Sequence, residues 1–349
     1  MPANPVTRRA ALGGLVAASG LPLAGCGFSG PRGRGFWSRV EPTVPFPPEA
    51  SIREVATGLS FWEQDFARAL ADPEIDLLIL GEVHDNALHH QVQAWTLSSL
   101  DQLRAPPRAR GPRSGVVGLA FEMMTPAQAR AATRFLASRP VDETADLAAL
   151  GQEIGWAESG WPAWELYAQI LVAAPTARVT GGAIPREELR AAMGAGAAAW
   201  PDAARLGLDK PLDPAEAAVR IQGQIDSHCG LIPPEVAPAM VDAQRIRDAS
   251  FAKALLDAGL GGFAALIAGA GHARTDWGAP RFIERLAPEK RVVSVGMLEA
   301  PAGVDPKRAD LAALAAGWGG AAPFDYVVIT PGAAREDPCE RMRAGRQGG

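Results

Sequence analysis

Two unbroken apolar runs in this chain end in the same signature. Asp76-Leu-Leu-Ile-Leu-Gly-Glu-Val-His84 and Ala264-Ala-Leu-Ile-Ala-Gly-Ala-Gly-His272 both run into Gly-x-x-His. Runs of Leu, Ile, Val and Ala without polar interruption suit strands covered on both faces, as in a parallel α/β sheet. Ligands of such sheets bind beyond the carboxyl ends of the strands. The echo therefore predicts that His84 and His272 share one rim of one sheet, although they lie far apart in the chain.

The rest of the chain alternates in the same way. Strand-like runs recur at Gly115–Glu122, Arg178–Gly182, Arg291–Val295 and Tyr326–Thr330. Helices fit Ile52–Ala71, Leu88–Leu103, Pro126–Ala137, Trp164–Ala173, Arg186–Ala199 and Ala239–Ala258. Strands interleaved with helices predict an α/β fold with a mostly parallel sheet flanked by helices. No convincing strand lies between Arg186 and Gly259, so about 186–260 is expected to form a smaller helical cap or insertion. The α/β domain is expected over residues 50–335, with a C-terminal tail at 336–349. An apolar content of 48% is enough for a sizeable core.

The N-terminal region reads as an address. Thr7-Arg8-Arg9 opens a twin-arginine pattern, followed by an apolar stretch from Ala10 to Ala24 that is too short to span a bilayer as a mature helix. Leu23-Ala24-Gly25-Cys26 resembles a bacterial lipobox, which predicts cleavage of residues 1–25 and lipidation of Cys26. An ordinary signal peptide is the alternative. Residues 26–49, with Gly/Arg/Pro-rich Gly27–Gly35, read as a tether. The expected location is the bacterial cell envelope, with the protein lipid-anchored on the periplasmic face. Loss of the leader removes two arginines and no acid, taking the net charge from −5 to −7. Nothing in that balance invites nucleic acid. Cys229 and Cys339 are the remaining cysteines, and the sequence leaves open a disulfide or two separate thiols.

The chemistry concentrates at Gly81-Glu82-Val83-His84-Asp85-Asn86-Ala87-Leu88-His89-His90-Gln91-Val92-Gln93. Gly81 allows a tight exit from the strand, and Asp85 or Asn86 can cap the following helix. Glu82 and His84 alternate and share a face if extended geometry persists, so together they can bind a metal or act as base and orienter. Glu122 ends a second strand, within expected reach of Glu82. His272 brings Arg274, a candidate clamp for an acidic group. His228-Cys229 is a weak metal signal. Gln244-Arg245-Ile246-Arg247-Asp248 reads foremost as a salt-bridged helix face. Met123-Met124 and the group Trp156, Trp161 and Trp164 read foremost as core.

Taken together, Gly-Glu-x-His-Asp-Asn-x-x-His-His-x-x-Gln at 81–93, Phe-Glu-Met-Met at 121–124, Gly-Gly-x-x-Pro-Arg at 181–186, Ala-Gln-x-x-Arg-Asp at 243–248 and Gly-x-Gly-His-Ala-Arg at 269–274 resemble the ChaN-like lipoproteins of the Tiki superfamily. The resemblance covers roughly residues 50–335. It implies haem binding, a role in haem or iron uptake, an α/β domain with a smaller helical part, and a haem pocket that two subunits of a homodimer can share. One departure is Ala183, which stands where the family pattern has Asn. Another is the scarcity of tyrosine, the family's haem ligand: only Tyr167 and Tyr326 are present.

Two functions are therefore expected to compete. A haem-binding protein needs an axial ligand, apolar walls and cations for the propionates. The candidates are His84, Asp85, Asn86, His89, Tyr167, His228 and His272, with Arg186, Arg247 and Arg274 for the propionates. A metal-dependent hydrolase, esterase-like or protease-like, would use Glu82, His84, Glu122 and His272, with Glu82, His84 and His272 on a divalent metal.

Overall fold

A computed structural model describes residues 42–105, 115–138, 147–315, 318 and 321–347. The expected leader, Cys26 and the first part of the tether lie outside the described residues. The chain order is β1 (Ser51–Glu54), β2 (Ser60–Phe61), α1 (Glu63–Leu70), β3 (Leu77–Glu82), α2 (Ala87–Leu103), β4 (Gly118–Phe121) and α3 (Pro126–Ala137). It continues with α4 (Leu147–Glu153), α5 (Trp164–Ala173), β5 (Arg178–Gly181), α6 (Arg186–Ala195), α7 (Ala203–Leu206), α8 (Pro214–Ser227) and α9 (Ala237–Ala258). Then come β6 (Ala264–Gly269), α10 (Ala270–Ala273), α11 (Ala279–Leu286), β7 (Val292–Glu299), α12 (Leu311–Ala315), β8 (Tyr326–Thr330) and α13 (Pro338–Gln347).

The strands form one sheet in the order β2-β1-β8-β7-β3-β6-β4-β5. The six strands from β3 to β8 run parallel; β1 pairs antiparallel with β8, and β2 with β1. Because successive side chains of a strand point to opposite faces, the apolar run of β3 feeds two cores. Leu78 and Leu80 join the first core, with α1 to α5; Leu77 and Ile79 join the second, with α6, α7, α9 and α11. All four are essentially inaccessible to water. That double coverage is why the run contains no polar residue, and burying each such side chain contributes about 2 kcal/mol before entropy is counted.

The α/β architecture and the parallel strands agree with the sequence reading, and β8, α3 and α5 begin and end where the pattern places them. The helix expected over Ile52–Ala71 does not exist as one element. Ile52, Val55 and Leu59 mimic helical spacing, but residues 51–54 pair with β8, Gly58 turns the chain at φ +71°, and the helix starts only at Glu63. The free edge of β8 outcompetes a local helix. Where the cap is expected, α6, α7 and α8 are present, while α9 lies along β4, β5 and β6 as a layer helix. The end of the tether packs down: Phe46 meets Trp95 of α2 edge-on, with centroids 4.9 Å apart. The expected tail contains α13, and Cys339 within it forms a disulfide with Cys229 beyond α8. Among the described residues no helix is long and apolar enough to cross a membrane.

Candidate functional site at the sheet rim

The two Gly-x-x-His runs lie side by side. β3 and β6 are neighbours in parallel register, with Gly81 opposite Ala268 and Glu82 opposite Gly269. β4 flanks β6, and the Glu122 amide continues its ladder onto Ile267 O at 3.0 Å. Three adjacent strand ends thus deliver Glu82, Glu122 and His272 to one rim. Two glycines make the convergence possible. A Cβ on Gly81 would lie 2.5 Å from Ala273 Cβ, so α10 could not settle over the end of β3; a Cβ on Gly269 would lie 3.0 Å from the His84 ring.

Glu82 continues the face of Leu78 and Leu80, and is 2% exposed. A carboxylate buried that deeply requires partners. His84 Nδ1–H donates to Oε1 at 3.0 Å, and the Tyr167 hydroxyl lies 3.4 Å from the same oxygen. His90, one turn into α2, donates from Nε2 to the His84 carbonyl at 2.9 Å. Its Nδ1 faces Glu82 Oε2 at 2.9 Å, but off axis, so neither buried atom completes a hydrogen bond. Burial pushes the Glu82 carboxyl up, yet the bond from His84 and the close approach of the His90 ring outweigh it and hold the group below the ordinary carboxylate range. Burial pulls His84 down, but its bond to Glu82 and the charges of Glu122 and Glu82 win and raise it above the ordinary 6.5. With Nδ1 committed to Glu82, His84 Nε2 makes no hydrogen bond among the described residues. The ring is one-third exposed, with the edge of Trp161 at 4.9 Å.

The second half of the rim is built around His272. Its Nδ1–H donates to Asp248 Oδ1 at 2.6 Å, and Nε2 stands 3.5 Å from Glu122 Oε1. Glu122 Oε2 accepts the Gly269 amide at 2.7 Å. Phe251, on the Asp248 face of α9, closes over the His272 ring at 4.8 Å. Burial lowers His272, but the charges of Glu122 and Asp248 and the Asp248 bond raise it on balance, against the nearby Arg247. Burial also raises Asp248, opposed by His272 and by Arg220, whose Nη2 is 3.8 Å from Oδ2. The rim therefore holds two acid-oriented imidazoles with the Glu122 carboxylate beside both.

A family model described as haem-binding uptake, Tiki superfamily, ChaN matches residues 69–283. The chain belongs to the ChaN family. The matched stretch contains Glu82, His84, Glu122, Asp248 and His272. Among solved structures the chain is similar to one titled cofacial heme binding to ChaN of Campylobacter jejuni. The identity is 18%, covering 81% of this chain and 97% of that one, with a TM-score of 0.56. An erythromycin esterase mutant in its open conformation aligns at 11% identity over 82% of this chain and 99% of that one, with a TM-score of 0.40. No curated protein sequence matches the chain.

The remaining residues singled out in the sequence have diverse places in this ChaN-family protein. His89 is fully buried: Nδ1 accepts the Val83 amide at 2.9 Å and Nε2 bonds Thr330 Oγ1 at 2.9 Å, so neither nitrogen is open to a ligand. Asn86 caps α2 through the Leu88 amide and donates to Glu299. Asp85 is held by Arg335, which also grips Glu299; that pair and its neighbours bring the Glu299 carboxyl down to about 2 against its own burial. Tyr167 is inaccessible, and burial together with Glu82 drives its hydroxyl far above the usual phenol range. Arg274 is spent on a two-pronged pair with Asp276 while stacked 3.7 Å over Trp277. Arg186 is exposed at the start of α6. His228 closes α8 by donating from Nδ1 to Gln224 O at 2.8 Å. None of its contacts among the described residues reaches the rim.

Two residues carry more of the site than their sequence signal suggests. Asp248 sits in a run that reads as an exposed ion-pair face; its i+3 relation to a buried Phe251 on an Ala-rich stripe is the signal that turns it inward. Trp161 leaves its partners Trp156 and Trp164 in the core and meets His84 instead. Among the described residues, no group of three or more His, Cys, Asp or Glu is arranged to hold a metal ion. The rim carries groups that fit a haem. It offers one imidazole nitrogen without a hydrogen-bond partner, an aromatic wall in Trp161, and Arg247, partly exposed near His272, as a cation.

Proposed function

We propose that the chain binds haem at the sheet rim and handles haem or iron at the bacterial cell envelope, held there by a lipidated Cys26 once a twin-arginine leader has been removed. The observation that carries this reading is His84. Glu82 locks its Nδ1, fixing the ring and directing the unprotonated Nε2 to the ligand, an arrangement in which a buried acid orients a metal-binding imidazole. Bound haem supplies an iron centre for storage, delivery or electron transfer; the chain supplies the ring, the Trp161 wall and the Arg247 charge. Because His84 is raised above 6.5, its Nε2 loses its proton only as pH climbs past that point.

The test is a haemin titration of the chain from residue 27 onward, read by absorbance, beside His84→Ala and His228→Ala. A saturable Soret shift is expected in the wild type and in His228→Ala, and lost in His84→Ala. A wild type without such a shift overturns the reading. The Asp248–His272–Glu122 array favours a second reading, hydrolysis of an envelope ester or peptide with His272 as the oriented base. Ester turnover in place of the Soret shift would move the assignment there.

A further inference from the structure

Apart from the rim imidazoles, a cleft of about 700 Å³ opens beside β1 and β2, walled by Phe46, Ile52, Phe61, Trp62 and Trp95, with Lys307 at one side. Trp62 is 78% exposed and occupies the N-cap of α1, where it bonds no helix amide. A Ser or Asp would serve the helix there, and an exposed indole serves nothing inside the fold. The turn before it carries Leu59, 61% exposed. Lys307 forms no ion pair among the described residues. Indole rings with one apolar side and one wet side are enriched at the membrane–water interface, and a lysine beside them suits a phosphate.

The course of the chain says which surface this face meets. The described chain enters at residue 42, and Pro45 and Phe46 already form the cleft wall. Fifteen residues, 27–41, separate that entry from Cys26. Fully extended, they reach at most about 50 Å. An anchor at Cys26 therefore holds that entry point within this distance of the lipid. We infer that this face docks on the phospholipid bilayer itself, with Trp62 and Leu59 in the interfacial layer, the apolar cleft against acyl chain and Lys307 on a headgroup phosphate. The inference rests on the envelope reading for the membrane it meets, but the contact needs no acyl group on the protein.

The chain from residue 27 onward tests it, since the buried apolar residues of both cores begin at Ala50. Co-sedimentation with phosphatidylethanolamine–phosphatidylglycerol vesicles is expected to show saturable binding of this unacylated protein. Trp62→Glu, at an exposed position, is expected to weaken it about tenfold or more while leaving melting and the haemin titration unchanged. A wild type that stays in the supernatant overturns the inference, as does Trp62→Glu binding equally well. Loss of self-association in Trp62→Glu, without vesicle binding in the wild type, would assign the cleft to a second copy and also overturn it. Labelled palmitate incorporation at Cys26 in cells reads the anchor separately, so its absence would remove the anchor and leave the vesicle result standing.

Discussion

His84 and His89 flank one turn of backbone and are displaced in opposite directions, one raised by acids, the other lowered by burial to about 4. For His89 the unfolded chain, at 6.5, binds the proton more readily than the folded one. Its contribution to stability is therefore complete above pH 6.5 and is lost as pH falls toward 4. The whole effect is about 3 kcal/mol. Urea unfolding from about pH 7.5 to about pH 4.5 should show a loss that is smaller by roughly that amount in His89→Gln. An identical pH profile in the variant would exclude the imidazole as the cause. At this scale much of the site is legible. Glu82, His84, Glu122 and His272 announce themselves because each is a polar residue at or just beyond the end of an apolar strand. Asp248 and His90 do not, because α2 and α9 are buried on more than one face and no polar stripe marks which polar residue turns inward. Arg274 misleads for a related reason: its partner Asp276, two residues on, takes the guanidinium first.

Edge strands are where elements expose unpaired backbone. β5 ends the sheet, and Thr133 of α3 covers its outer side: Oγ1 accepts the Val179 amide at 2.9 Å, and its single proton lies between the Ala129 carbonyl at 3.0 Å and the Val179 carbonyl at 3.1 Å. Thr133→Val keeps the shape and leaves the Val179 amide unpaired, which should cost about 2 kcal/mol in thermal or urea unfolding. No loss of stability would mean that water replaces the hydroxyl without penalty. Elements were readable in proportion to how local their cause is. α3 is marked at both ends, by the Thr125–Gln128 capping box and Pro126, and its limits follow from the sequence. β1 and β2 are not marked, because their strand character comes from the distant β8 edge rather than from residues 51–61 themselves.

For the molecule as a whole, the disulfide ties α8 to the C-terminal helix across a sequence separation of 110 residues. Closing so long a loop in the unfolded chain stabilises the fold by about 5 kcal/mol on the chain-entropy account. Cys339→Ser, or a reductant, should lower the urea unfolding free energy by about that much. Identical curves with and without reductant would mean that α13 detaches independently of the sheet. The pairing could not be read from the sequence, because proximity of two distant cysteines depends on how the helical insertion folds back. The side-by-side register of β3 and β6 has a different kind of consequence. The residues between them supply two further strands and most of the helices, so the rim cannot exist on a partly made chain. A ribosome that has reached β5 has produced Glu82, His84 and Glu122, but no strand to seat between β3 and β4. The rim is therefore complete only once synthesis passes His272, and a product truncated before that residue is only half a site.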